Sequence, residues 1–232
     1  MGRIAENLFK VKERIELSAL RAGRDPKEIR LVAVSKGQPI ERIMEGIEAG
    51  VEILGENFVQ EARWKIEAIN ANPDLRRDWH MVGHLQSNKA KRAVELFEMI
   101  HSVDSLRLAE EIDRQAERRG KVMPVLIEVN LSGEEGKFGV RRDEALNLIR
   151  RALEFKNIDV LGLMTMPPLF EEPELSRPYF VALRSLRDEL REKLPHLELK
   201  ELSMGMSADF EVAIEEGATM VRIGTAIFGP RG

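Results

Sequence analysis

Ile29-Arg30-Leu31-Val32-Ala33-Val34, running into Ser35-Lys36-Gly37, decides the fold of this chain. The run is apolar except for Arg30 and stops at a polar turn, the pattern of a short strand buried on both faces. Before it lies a charged segment, residues 2–22, in which Ile4, Leu8, Val11 and Ile15 step by four, three and four. That spacing predicts an amphipathic helix, ended by Gly23 and Asp25-Pro26. After it come a helix-like stretch at 40–49, a breaker at Gly50 and a second short apolar run at 51–55.

The same unit then recurs to the end of the chain. Asn57 is placed to cap a helix reaching Asn70, and further strands are predicted at 78–82, 99–103, 122–129, 160–164, 199–202 and 219–223. Helices beginning near Ser87, Ser105, Arg141, Pro178 and Ala208 separate them. Pro124 is expected in the first turn of its strand rather than in the paired interior. Eight buried strands alternating with helices define an α/β protein with a parallel sheet. An open doubly wound sheet would bind ligands where the strand order reverses. A (β/α)8 TIM barrel with an extra N-terminal helix fits the strand number and the 232-residue length better. No linker or composition shift divides residues 1–232, which are expected to form a single domain.

Composition narrows the function classes. With 36 Lys+Arg against 40 Asp+Glu the formal net charge is -4, so nothing draws the whole chain to nucleic acid or an anionic membrane. No apolar run approaches the roughly 18–20 residues that span a bilayer. The N-terminus is charged from Arg3 and lacks the apolar core of a secretory signal, so a cytoplasmic protein is expected. Cysteine is absent, which removes disulfides, thiolate metal sites and cysteine nucleophiles together.

A barrel carries its chemistry at the C-terminal ends of its strands. There the sequence places Ser35-Lys36, Glu56-Asn57, the 83–89 segment, Ser102 and Asp104, Asn130 and Ser132, Thr165, the 203–207 turn, and Arg222 with Gly224-Thr225. Lys36 follows a dry strand by one residue, and burial favours the neutral, nucleophilic form of an amine, which can form Schiff bases. A lysine at a strand end can equally run its stem over apolar surface into water. Ser203-Met204-Gly205-Met206-Ser207 and Gly224-Thr225 are small turns after the seventh and eighth strands, where barrels commonly hold phosphate; they could also be ordinary turn chemistry. A lysine and a phosphate cradle on one mouth suggest a phosphorylated aldehyde, with pyridoxal 5'-phosphate the obvious candidate. His80 and His84 stand four apart, yet His80 falls within a strand, so no metal site is expected from them.

Long blocks in order carry a family resemblance: Ala33-Val34-Ser35-Lys36, residues 55–61 (GENFVQE), 79–89 (WHMVGHLQSNK), His101-Ser102-Val103-Asp104, 162–166 (GLMTM), 202–209 (LSMGMSAD) and 221–229 (VRIGTAIFG). Together they resemble the pyridoxal phosphate homeostasis proteins, single-domain relatives of alanine racemase, from about residue 30 to the end. The resemblance implies a pyridoxal phosphate barrel of the alanine racemase type, with the Schiff base on Lys36. It implies cofactor contacts from Asn57, Ser203, Met204, Ser207, Gly224 and Thr225, and Arg222 beside the pyridine nitrogen. A guanidinium there disfavours protonation of that nitrogen by like-charge repulsion and weakens the ring as an electron sink.

The resemblance also implies a role in cofactor homeostasis, as a carrier or regulator that could supply apo-enzymes; the alternative is a pyridoxal-phosphate-dependent amino-acid racemase. Racemisation needs proton delivery on both faces of a carbanion, and Lys36 serves one. The second domain that carries the opposing tyrosine in the racemase is not expected here, and the one tyrosine of this sequence, Tyr179, falls in a predicted helix that follows a proline-rich loop. The 166–173 loop is too short to seal a cofactor-sized mouth, so an open site and a monomer or weak dimer are expected.

Overall fold

The computed structural model describes residues 2–134 and 136–230. Helix α1 (Arg3–Arg21) comes first and buries the expected stripe of Ile4, Leu8, Val11 and Ile15. The chain then alternates as β1 (Arg30–Val34), α2 (Ile40–Glu48), β2 (Ile53–Glu56), α3 (Val59–Asn70), β3 (Asp78–Met81), α4 (Ala90–Leu96), β4 (Met99–Val103) and α5 (Leu106–Glu117). It continues through β5 (Met123–Asn130), β6 (Val140–Arg141), α6 (Ala145–Ala152), β7 (Ile158–Met164), α7 (Arg177–Lys193), β8 (Glu201–Ser203), α8 (Phe210–Glu215), β9 (Met220–Ile223) and α9 (Thr225–Phe228).

All pairings are parallel, and the sheet closes on itself. The order β4-β3-β2-β1-β9-β8-β7-β5 is joined into a ring by the additional pairing of β4 with β5. At the other critical seam, Arg30, Leu31, Val32 and Ala33 of β1 stand in register with Met220, Val221, Arg222 and Ile223 of β9. This is a (β/α)8 barrel with α1 added outside it, packed on α2, α8 and α9; the open-sheet alternative is excluded because the β1–β9 and β4–β5 pairings together close the ring.

Alternation along the strands divides the core in two. Outward residues such as Ala33, Leu54, Ile100, Val221 and Ile223 join the helices in one large apolar cluster. Inward residues Met99, Leu126, Met164 and Met220 form a small plug inside the barrel, with Leu161 against it. Two residues further along their strands, the next inward positions after Met99, Leu126 and Met220 are His101, Glu128 and Arg222, all buried. The barrel therefore changes from apolar to polar one layer below its mouth.

Four local expectations are corrected. Asn57 is not a helix cap: Phe58 holds that position at the start of α3, without a side-chain cap bond. Ser87 opens a short 3-10 turn, and α4 begins at Ala90. Pro124 lies within β5, in register with Asp159, and is tolerated because β4 joins on the other side only from Val125. Val140 and Arg141 form a two-residue strand on Val129 and Asn130, which delays the next helix to Ala145. Ser105 does cap its helix, its side chain accepting from the Leu108 N–H at 3.4 Å.

Candidate functional site

A cavity of about 420 Å3 opens at the C-terminal ends of β1, β2 and β9. Lys36, Asn57, Ser207, Arg222, Gly224 and Thr225, six of the residues singled out in the sequence, line it together. Lys36 sits at the corner of a turn closed by the Gln38 N–H donating to the Ser35 carbonyl at 3.0 Å. Gly37 follows with φ 70°, a conformation costly for any residue with a Cβ. The Lys36 ammonium lies 5.2 Å from the centre of the Phe58 ring, on the rim. Asn57 is brought in by a close approach from β3. A Cβ on Gly83 would stand 2.5 Å from the Asn57 carbonyl oxygen, so only glycine fits there.

The turns after β8 and β9 meet at the opposite side. Asp209 accepts from the Met206 N–H at 2.7 Å and fixes the 206–209 turn. Ser207 Oγ accepts from the Ala226 N–H at 3.3 Å, tying that turn to the start of α9. A Cβ on Gly224 would meet the Val34 carbonyl at 2.9 Å, so the β9 turn presses directly against β1.

Beneath the cavity runs a buried polar chain. Arg222 donates from Nη1 to Ser203 Oγ at 2.6 Å and from Nη2 to the Thr165 carbonyl at 3.0 Å. Ser203 Oγ lies 2.9 Å from His101 Nδ1, and His101 Nε2 lies 2.9 Å from His80 Nδ1. Burial, with the charge of Arg30 added, pushes His80 down to about 3. Burial also takes His101 well below the usual imidazole range, helped by His80, Arg222 and Arg30. Both rings are therefore neutral near pH 7, and each passes on a hydrogen bond rather than a charge. Burial lowers Arg222 to about 10, opposed by Glu128 and Asp209, so it remains a cation. Glu128 moves the other way: burial and Asp104 raise it to about 7, against the pull of Arg222.

Ser203 and Met204 do not line the cavity. Ser203 is spent on Arg222 and His101, and Met204 is buried in the core. The 166–173 loop, by contrast, supplies part of the wall through Met166, Leu169 and Phe170. Leu169 remains 83% exposed, so the loop makes a rim and leaves the mouth open. Tyr179 stands behind that wall, its ring 5.9 Å from Phe170. His84 parts from His80: it stacks on Phe138 with ring centres 3.6 Å apart and turns Nδ1 to Asp104 at 3.3 Å.

The sequence singles out Ser203 but not its link to His101 and His80, which lie within β4 and β3 with no local sign of a shared polar chain. The only available signal was period-2 alternation, which puts His101 and Arg222 on the same inner face as Met99 and Met220.

The alanine racemase N-terminal domain matches residues 7–232, and the chain belongs to that family of barrel proteins. Within it the chain belongs with the pyridoxal phosphate homeostasis proteins, of which the one from Aquifex aeolicus is 49% identical over 97% of both chains. A solved structure of PipY from Synechococcus elongatus PCC7942, described as having PLP bound, is 38% identical with a TM-score of 0.84, covering 98% of this chain and 100% of that one. An alanine racemase from Clostridium difficile shares the fold at 18% identity and TM-score 0.68, matching 97% of this chain but 56% of the racemase.

Proposed function

We propose that this protein binds pyridoxal 5'-phosphate through the Lys36 amine and serves intracellular homeostasis of that cofactor, as a carrier rather than as an amino-acid racemase. The observation that carries this reading is the meeting of Lys36, Arg222 and the Gly224-Thr225 turn around one cavity. The site fits the group by its donor set: the Lys36 amine suits an aldehyde, and the small polar residues Ser207, Gly224 and Thr225 on the same cavity suit a phosphate. Bound there, the group supplies an aldehyde for Lys36, an aromatic ring and a phosphate.

The protein's own part is to hold and orient. Lys36 provides the nucleophile. Ser207, Gly224 and Thr225 present small, polar surface for the phosphate, and Asn57 and Arg222 flank the ring. Ser203 acts from below by fixing the guanidinium of Arg222, and Met204 anchors the turn after β8 in the apolar core. A cation held at that place supports binding over carbanion chemistry.

Among the described residues lining the cavity, the ionisable side chains are Lys36, Asp209 and Arg222. Asp209 is engaged with the Met206 N–H and Arg222 with Ser203 and Thr165. That leaves Lys36 as the acid–base group of the cavity, which supports the carrier reading over racemisation. The exposed rim residues Phe58 and Leu169 favour a site reachable by an apo-enzyme, in a monomer or weak dimer. Sedimentation should give a monomer or a concentration-dependent weak dimer; a tight dimer with facing mouths would contradict it. No helix among the described residues is long and apolar enough to cross a membrane, which suits a cytoplasmic carrier.

The direct test is spectroscopic. The loaded protein should be yellow, and Lys36→Ala should lose the visible band while remaining folded. A wild-type protein that stays colourless when given the cofactor would refute the reading.

A further inference from the structure

Behind Lys36, on the outer face of the barrel, lies a group of charges that the site itself does not use. Alternation turns Val34 inward and Ser35 outward, and on β2 it turns Gly55 inward and Glu56 outward. Lys65 of α3 is fully buried between that helix and the wall. Its ammonium donates three hydrogen bonds: to the Ser35 carbonyl at 2.7 Å, to Glu56 Oε1 at 2.6 Å and to Glu61 Oε1 at 2.7 Å. Ser35 Oγ donates to the same Glu56 oxygen at 2.6 Å. The Gly37 N–H donates to the same Glu61 oxygen at 2.6 Å.

We propose that Lys65 is a positioning residue for Lys36, clamping the peptide on both sides of it: Ser35 directly and through Glu56, and Gly37 through Glu61. The proposal rests on the reading that Lys36 bonds the cofactor. Ser35, Lys36 and Gly37 are consecutive, and both outer members are tied to one buried ammonium. The residue between them is left to project into the cavity from a turn that cannot rock. Three donors are what an ammonium offers, and all three are used. A merely structural ion pair between α3 and the wall would need Glu56 alone; the bonds to the Ser35 carbonyl and to the Gly37 partner are what aim the cluster at Lys36. Burial raises Glu56, while Lys65 and Ser35 pull it back. Burial also acts to raise Glu61, but the bonds from Lys65 and Gly37 and the nearby charge of Lys36 outweigh it and leave it lowered. Glu61 therefore stays an anion, as an anchor for an N–H requires.

Misplacement of a reacting atom by about 1 Å can cost two orders of magnitude in rate, so the clamp should act on covalent capture more than on affinity. The experiment follows the visible band after mixing with saturating pyridoxal 5'-phosphate, and separately measures the affinity for pyridoxamine 5'-phosphate, which has no aldehyde to capture. Lys65→Met should slow capture at saturation by about tenfold or more while the affinity for the amine analogue changes less than threefold. Glu61 lies partly in solvent, so Glu61→Ala keeps the test available if Lys65→Met does not fold. Glu61→Ala should slow capture, and Glu61→Gln, whose amide oxygen still accepts from Gly37, should restore most of it. Capture at the wild-type rate in folded Lys65→Met, or in Glu61→Ala, would overturn the proposal. So would equal slowing by Glu61→Ala and Glu61→Gln. Loss of the covalent reading itself would be distinct, because the wild-type protein would then show no Lys36-dependent band at all.

Discussion

Val32 of β1 stands beside Arg222 of β9 across the seam that closes the barrel. Both side chains face the interior, so the next inward positions toward the mouth are Val34 and Gly224, and Lys36 emerges one step further on. The seam thus brings residues nearly two hundred positions apart onto one cavity. An open sheet that kept β1 and β9 apart would separate the amine from the guanidinium and the glycine turn.

Arg222→Ala and Ser207→Ala should weaken cofactor retention without abolishing covalent attachment, because neither residue supplies the bonding nitrogen. A hydrogen bond to a charged group is worth about 1.5–3 kcal/mol, so Arg222→Ala should loosen binding by roughly ten- to a hundredfold. Ser207→Ala, which loses a hydrogen bond to the charged phosphate of about 1.5 kcal/mol, should loosen it about tenfold. Equilibrium titration of each variant, read in the visible band, checks both values.

The raised Glu128 makes stability fall with rising pH. Folded, it keeps its proton up to about 7; unfolded, it loses it near 4.3. Between those values the native state binds more protons, so its stability declines from acid toward neutral pH. Glu128→Gln removes this dependence. Relative to wild type, the variant should gain about 2–3 kcal/mol in urea unfolding between pH 5 and pH 8, and an unchanged difference would refute the assignment.

The buried imidazoles work in the opposite direction. His80 takes up a proton in the folded state only near 3, whereas an unfolded histidine does so below about 6.5. The unfolded state therefore binds more protons in that window, and stability is lost as pH falls through it. From His80 alone the loss between pH 7 and pH 5 should be about 2 kcal/mol. Comparing wild type with His80→Gln at the two pH values isolates this contribution, and NMR of the ring would find it neutral at pH 5.

A carrier and a racemase differ in what happens to the α-hydrogen of an amino acid. In deuterated water, a panel of amino acids incubated with the loaded protein should exchange slowly and keep their configuration. Rapid exchange or inversion that disappears in Lys36→Ala would establish an enzyme instead.

The strand–helix alternation was legible because buried parallel strands write continuous apolar runs, and the β1 turn announced Lys36 by stopping such a run abruptly. Asn57 was legible as a strand-end residue, but its expected role as a helix cap was not borne out: Phe58 holds that place, and Asn57 lies against Gly83 at the cavity. Ser203 was expected as a cofactor contact from the family resemblance, at the end of the seventh predicted strand. Only the three-dimensional partners reveal that its hydroxyl is taken by Arg222 and His101. Lys65 was invisible for a related reason. A lysine within a helix reads as solvated surface, and nothing local indicates that Glu56, nine residues earlier, lies within 2.6 Å of its ammonium.

The most direct test of the account is to load the protein with pyridoxal 5'-phosphate, reduce it with borohydride and map the modified peptide by mass spectrometry. The account predicts one stable phosphopyridoxyl adduct, on Lys36, with Lys65 unmodified. An adduct principally on any other lysine, or none at all, would contradict it.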